Sequence, residues 1–433
     1  MCHAWRLPRG GPATGLRGHG KIARTRSGRA DSQRLPVGAL QRITNRHVYY
    51  FSGFDPRGAR YYHRLYREEA AKQAALTGTR IEVGPRLRAG ELSKVWTVRS
   101  AGPDGVTETV YEFMRWDDIV RRHWTRNEAR LAVELVRTAW AYVASGTLWR
   151  ILKTAWPPFV TGLYPVLYFL ALVTAAVFAA LGLGGWLGRQ YGIVAGGAGA
   201  AAAAVGVLYL GRLVEKRLRC YWLLRIYAFT VRQAGGLPEL EARIDRFAEY
   251  MARQIAGSQA DEILVVGHSV GTTIACSALA RALARMPKVD RRIALVTLGQ
   301  CIPMLSLLPQ AQKFREDLAR LGSHPEVEWI DFTAPTDGAC FALTDPLQAS
   351  GIPGVRDIQR PKLLSPRFMT LFDAKTYARI RRNWFRNHFQ YLMAGDKVGD
   401  YDYFAITAGP VPLAERYAAH RSVVGYRRFK VFG

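Results

Sequence analysis

Residues Asp261–Ala284 read DEILVVGHSVGTTIACSALARALA, and the rest of the chain can be arranged around the serine at their centre. Ile263–Val266 is an unbroken apolar run rich in β-branched side chains, the pattern of a strand buried on both faces. It stops at Gly267. From Thr272 onward Ala275, Leu279 and Leu283 recur at helical spacing, so Gly267-His268-Ser269-Val270-Gly271 is a tight strand-to-helix turn of the form G-x-S-x-G. A serine in a strained backbone conformation at such a turn has its hydroxyl pushed outward. Strand and helix then pass so closely that the positions flanking the serine at a distance of two must lack bulk. Gly267 and Gly271 meet that demand, although glycines also punctuate ordinary βα turns.

With its strand before and its Ala-rich helix after, this segment resembles the α/β-hydrolase superfamily, lipases and esterases among them. The resemblance implies an α/β fold, a mostly parallel sheet flanked by helices. It also implies a Ser, acid, His order along the chain, and an oxyanion hole formed partly by the backbone N–H after the nucleophile, here that of Val270. In the family a second N–H comes from the loop after the third strand. Ser52-Gly53-Phe54-Asp55-Pro56-Arg57-Gly58, which follows the short strand His47–Phe51 and precedes a helix over Ala59–Leu76, looks like that loop. Gly53 supplies the small residue needed where backbone approaches substrate, and the N–H of Gly53 or Phe54 would donate; a βα turn stabilised by Asp55 and Pro56 reads equally well.

Further strands are expected at Arg80–Val83, Lys94–Val98 and Thr107–Met114, with a turn at Gly102-Pro103-Asp104-Gly105. Asp117 and Asp118 then open a helix, where the helix dipole favours acids; no histidine or third carboxylate nearby suggests a metal. Beyond the serine, Ile293–Leu298 and Val327–Phe332 read as the sixth and seventh strands. Pro335 and Gly338 make a turn around Asp337, the position of the family acid, with Asp345 as runner-up and Asp331 still inside the strand pattern. A serine hydroxyl needs a base, and the downstream histidines are His324, His388 and His420. His324 precedes any acid placed after the seventh strand, and His420 has no clear strand ahead of it. His388 follows a candidate final strand around Phe368–Phe372 and a helix, which makes Ser269, Asp337 and His388 the expected triad.

Two uncharged stretches interrupt this pattern. Phe159–Leu183 is long enough to cross a bilayer, Gly184–Tyr191 reads as a short connection, and Gly192–Leu210 is close to the minimum spanning length. Gly192, Gly196 and Ala200, spaced four apart, would give the second helix one flat face, although an Ala/Gly-rich core helix fits the same stretch. Arg and Lys residues crowd both outer flanks, among them Arg121, Arg137, Arg150, Arg212 and Lys216, while the connection holds only Arg189. The positive-inside rule therefore puts both flanks in the cytoplasm, as in a two-span protein of the cell inner membrane.

The 433 residues carry a formal net charge of +27, with 49% hydrophobic and 22% charged residues, a globular composition drawn to anionic surfaces. Flanking basic residues beside the spans account for that charge without nucleic acid, for which no binding module is recognisable. Five scattered cysteines suggest neither a disulfide framework nor a metal site, and no cofactor is implied. The expected layout is a disordered basic arm at 1–40, a first part of the hydrolase domain at 41–155, the membrane hairpin at 156–212, and the remainder at 213–433 with the nucleophile, acid and histidine. The expected function is a membrane-anchored serine hydrolase acting on an acyl ester or thioester, with the bilayer as partner. A non-catalytic membrane scaffold on a degenerate hydrolase fold is the alternative, kept open because SGFDPRG departs from the HGGG-type oxyanion motif.

Overall fold

The computed structural model describes residues 42–286, 291–354 and 361–423; the expected basic arm at 1–40 lies outside them. In chain order the first half runs β1 (Asn45–Phe51), α1 (Gly58–Thr77), β2 (Arg80–Val83), β3 (Ser93–Gly102), β4 (Gly105–Met114), α2 (Asp117–Arg122), α3 (Glu128–Ala144), α4 (Thr147–Thr154), α5 (Trp156–Tyr191), α6 (Ile193–Leu218), α7 (Cys220–Ala234) and α8 (Pro238–Ala256). The second runs β5 (Glu262–His268), α9 (Gly271–Leu283), β6 (Arg292–Leu298), α10 (Ile302–Ser306), α11 (Gln312–Gly322), β7 (Val327–Phe332), α12 (Pro346–Ala349), β8 (Lys362–Leu364), α13 (Ala374–Arg382), α14 (Trp384–Phe389), α15 (Tyr403–Ala408) and α16 (Leu413–Arg416).

The eight strands form one mixed sheet in the order β2-β3-β4-β1-β5-β6-β7-β8. From β4 to β8 every neighbouring pair is parallel, and only the β2-β3-β4 meander at one edge is antiparallel. The fold is therefore α/β, mostly parallel, with helices on both faces. β5 is buried along its whole length, as its continuous apolar run requires when helices cover both sides. Alternate residues feed two cores: Phe51, Val265 and Leu295 pack with the apolar stripe of α8 (Leu240, Ile244, Phe247, Met251), whereas Tyr50, Val266 and Val296 pack with Tyr62, Leu65 and Tyr66 of α1. Asp117 and Asp118 lie in the first turn of α2 and pair with Arg121 and Arg243.

The expected final strand is different in the structure. Phe368–Thr370 is a single 3₁₀ turn, entered through Arg367 at φ 44°, and the last strand is instead β8, which pairs with β7. Phe368, Leu371 and Phe372 are all buried, and their spacing of three and four matches one face of a helical turn better than an alternating strand.

α5 and α6 are long and apolar enough to cross a membrane, with mean hydropathies of 2.4 and 1.9 in their most apolar stretches, and those stretches are 0% and 11% buried. They are not core helices. The connection expected at Gly184–Tyr191 is helical: α5 continues to Tyr191, and the chain turns at Gly192, whose φ of 88° favours glycine. The glycines of that stretch serve packing. A Cβ on Gly184 would stand 2.7 Å from Ala200 Cβ, and one on Gly196 would stand 2.8 Å from Gly188 Cα. Gly196 and Ala200 thus form the close face against α5, while Gly192 forms the turn, where an added Cβ would meet no neighbour.

Candidate active site

Ser269 sits between the end of β5 and the start of α9 with φ 57°, a left-handed conformation that non-glycine residues seldom adopt. Its N–H donates to the Leu298 carbonyl at 2.9 Å, and its carbonyl accepts from Thr272 N at 3.0 Å, which fixes the turn on both sides. Both glycines of the pentapeptide are sterically required. A Cβ on Gly271 would lie 2.4 Å from the carbonyl oxygens of Phe51 and Ser52, and one on Gly267 would lie 2.7 Å from Thr272 Cα. The first clash shows that α9 begins directly against the end of β1, so the loop after β1 is delivered to the serine. A Cβ on Gly53 would stand 3.0 Å from Ser269 Cβ and 3.3 Å from its Oγ. Trp116 anchors that loop by donating to Ser52 O at 3.0 Å, and Asp55 braces it through Arg57 N–H (3.0 Å) and Tyr62 (2.9 Å). The expected turn chemistry of Asp55 and the close approach of Gly53 are thus both present. Among the described residues none accepts a hydrogen bond from the N–H groups of Gly53, Phe54 or Val270.

Asp337 and His388 come together from the turn after β7 and from α14. His388 Nδ1 donates to Asp337 Oδ2 at 2.8 Å, both side chains being almost wholly buried, so Nε2 is left to act as acceptor. Asp337 also accepts from Tyr391 Oη at 3.1 Å and from Ala339 N at 3.1 Å. Burial alone would raise this carboxyl, but the imidazole of His388, its hydrogen bond and those of Ala339 and Tyr391 outweigh burial and hold it below its ordinary value. The other two acids have separate tasks. Asp331, inside β7, accepts from Thr297 at 2.6 Å and is pushed by burial up to about 8, and Asp345 caps α12 through the N–H groups of Leu347 and Gln348. His324 follows α11, and His420 packs edge-on against Tyr417.

Ser269 and His388 line one cavity together with Gly53 and Phe54. They are not hydrogen-bonded to each other; Ser269 Oγ lies 3.9 Å from Cys301 Sγ. Burial, and next the charge of Asp337, push the Cys301 thiol up to about 12, so it stays protonated and does not compete as a nucleophile. Trp222, Ile226 and Tyr227 of α7 and Phe385 and Phe389 of α14 make the opposite wall apolar. Both ends of the α5–α6 hairpin therefore border the site: α7 follows α6 directly, and Thr161 near the start of α5 donates to Gly338 O at 2.6 Å, beside Asp337.

No protein-family model matches this chain, and no curated protein or solved structure is significantly similar to it.

Four contributors escaped the sequence reading. Tyr391 steadies Asp337 from the 3₁₀ turn Gln390–Leu392, with no periodic pattern to mark it. His268, inside the pentapeptide, donates from Nε2 to the His388 carbonyl at 2.9 Å and so holds the segment carrying the histidine. Burial and the neighbouring His388 depress His268 to about 3, so it is neutral. Arg57 lies over the rings of Tyr61 (3.8 Å) and Phe389 (4.9 Å), which ties the loop after β1 to α14. Cys301 packs against the serine hydroxyl from the start of α10. For His268 and Arg57 a signal existed in their places within GHSVG and SGFDPRG; Tyr391 and Cys301 meet Asp337 and Ser269 across 54 and 32 residues of chain.

Proposed function

We propose that this chain is a membrane-anchored serine hydrolase of the α/β-hydrolase kind, cleaving the carboxylic ester or thioester bond of a lipid-like substrate. The observation that carries the reading is the convergence in one cavity of Ser269 at positive φ, the Asp337–His388 pair, and Gly53 against the serine hydroxyl. Ser269 Oγ attacks the acyl carbonyl while Nε2 of His388 takes its proton. The imidazolium is stabilised by Asp337, and the oxyanion accepts from the N–H of Val270, at the N-terminus of α9, and of Gly53 or Phe54. His388 then returns the proton to the departing alcohol or thiol. Water, deprotonated by the same imidazole, releases the acid from the acyl-enzyme and restores Ser269.

One difference from the family bears on this assignment: the loop next to the serine follows the first strand among the described residues, not the third. In the sheet that strand is nevertheless the neighbour of β5, so the loop reaches the same place beside the nucleophile. The apolar surfaces of α5 and α6, with Leu170, Phe178, Leu181, Ile193 and Val194 well exposed, support insertion of the hairpin into a bilayer. The basic flanks support a cytoplasmic site at the surface of an inner membrane.

A second reading, a scaffold without catalytic activity, is favoured by the missing hydrogen bond between Ser269 and His388. In unliganded enzymes such bonds are often long and tighten only with substrate. The two readings separate in one assay. Purified protein in detergent should hydrolyse esters from a panel of 4-nitrophenyl and glyceryl acyl esters. The Ser269→Ala variant, at an unchanged thermal midpoint, should lose roughly 10⁴-fold or more of that rate. Equal rates in both proteins would sink the enzyme reading.

A further inference from the structure

A second cavity, of about 90 Å³, lies among α3, α4, α5 and α7 and plays no part in the chemistry above. Leu135 and Ala139 of α3, Ile151 of α4, Leu163 and Val166 of α5, and Leu224 of α7 form its walls. The polar tips of its two tyrosines are already engaged: Tyr142 Oη donates to Met304 O at 3.2 Å and Tyr227 Oη to Pro158 O at 2.9 Å. Apart from the Thr138 hydroxyl the lining offers water no free side-chain partner, and it suits a hydrocarbon.

The two cavities are one side chain apart. Tyr227 lines both, and Tyr142, whose ring meets it edge-on with centroids 5.6 Å apart, bonds to Met304 of the first cavity. On α5 the consecutive residues Thr161 and Gly162 line the first and the second cavity in turn. Gly162 is small because Tyr227 occupies its side-chain space: a Cβ there would stand 2.9 Å from the tyrosine ring. At the far end Leu135, Ala139 and Val166 are only half-buried and Val143 is 58% exposed, so the cavity opens beside the apolar surface of α5.

We infer that this second cavity takes the alkyl chain of a long-chain acyl substrate whose carbonyl is presented to Ser269, the chain running past the Tyr227 ring that both cavities share. The inference rests on the hydrolase reading and narrows its substrate to lipids that enter from the side of the membrane. Because the chain must fill an apolar space, each methylene that reaches it raises kcat/KM about fourfold until the space is full.

The test uses the full-length protein in lipid nanodiscs, with 4-nitrophenyl esters of four and twelve carbons. Two variants fill the cavity from different walls, Ala139→Trp and Leu135→Trp, so that failure of one to fold leaves the other. In each the ratio of kcat/KM for the long ester to that for the short one should fall at least tenfold. A ratio unchanged within twofold, in protein whose hydrolysis still requires Ser269, overturns the inference while leaving the hydrolase reading intact. Photo-crosslinking of Ser269→Ala protein with a sixteen-carbon diazirine fatty acid reads occupancy without turnover. Crosslinks at Tyr142 or Leu224 that vanish in Ala139→Trp support the cavity as an alkyl site even if no ester is cleaved, and their persistence in that variant counts against it.

Discussion

His268 is the residue whose ionisation most directly touches the site without taking part in it. Its ordinary value of 6.5 is lowered to about 3 by burial and then by His388, so between those values the unfolded chain binds a proton that the folded protein refuses. Stability from this group is complete above pH 6.5 and is lost as the pH falls toward 3. His268→Gln keeps a donor for the His388 carbonyl and removes the titration. Between pH 6.5 and pH 5 the native protein should lose about 2 kcal/mol more stability than the variant, from denaturant midpoints in detergent. Asp331, raised to about 8 by burial, tilts stability the opposite way but is present in both proteins and cancels in the difference. Equal losses in the two would show that His268 is not held neutral. The geometry at Ser269 was legible in the sequence because its demands are local: Gly267 and Gly271 lie within two residues of it. Tyr391 and Cys301 were not, since the first reaches Asp337 across 54 residues and the second reaches Ser269 across 32, with no periodic pattern linking the partners.

Among elements, the strands that position the site were the most legible, because each buried parallel strand imposes an apolar run of its own. β5, β6 and β7 start or end within a residue or so of their expected limits. β8 escaped because its three residues are too few to show a pattern, and the buried spacing of Phe368, Leu371 and Phe372 belongs to a turn of helix. The end of α5 was misjudged for a related reason. Gly184, Gly185 and Gly188 read as a loop, yet Gly184 and Gly188 are where α5 meets α6. Where a glycine admits backbone and not merely a side-chain tip, substitution should be costly. Gly271→Ala drives a Cβ against the carbonyls that end β1, atoms that cannot move without breaking the sheet. It should destabilise by about 3 kcal/mol, at the upper end for overpacking, and reduce the yield of folded protein in detergent. A thermal midpoint equal to that of the native protein would show that α9 does not begin against β1.

For the molecule as a whole, the hairpin departs from the sheet-based domain and returns to it on either side of the site. Thr161 holds the turn carrying Asp337, and α7 walls the cavity opposite Ser269. The length of α5, 36 residues or roughly 54 Å, exceeds a hydrocarbon core of about 30 Å, so in the proposed orientation part of it would stand outside the hydrocarbon. The orientation proposed here makes a direct prediction. A cysteine placed at Arg189 should react with a membrane-impermeant maleimide in intact cells, and one placed at Arg217 only after lysis; labelling of both from one side would exclude a two-span topology.

The central claim is that Ser269 is an activated nucleophile. Membranes containing the protein should be treated with a fluorophosphonate probe and the adduct located by peptide mass spectrometry, with Ser269→Ala and His388→Ala proteins in parallel. The account predicts a single adduct on Ser269, absent from the first variant and slowed by a factor of roughly 10³ or more in the second. Native protein that stays unlabelled, or that labels equally fast without His388, would contradict it.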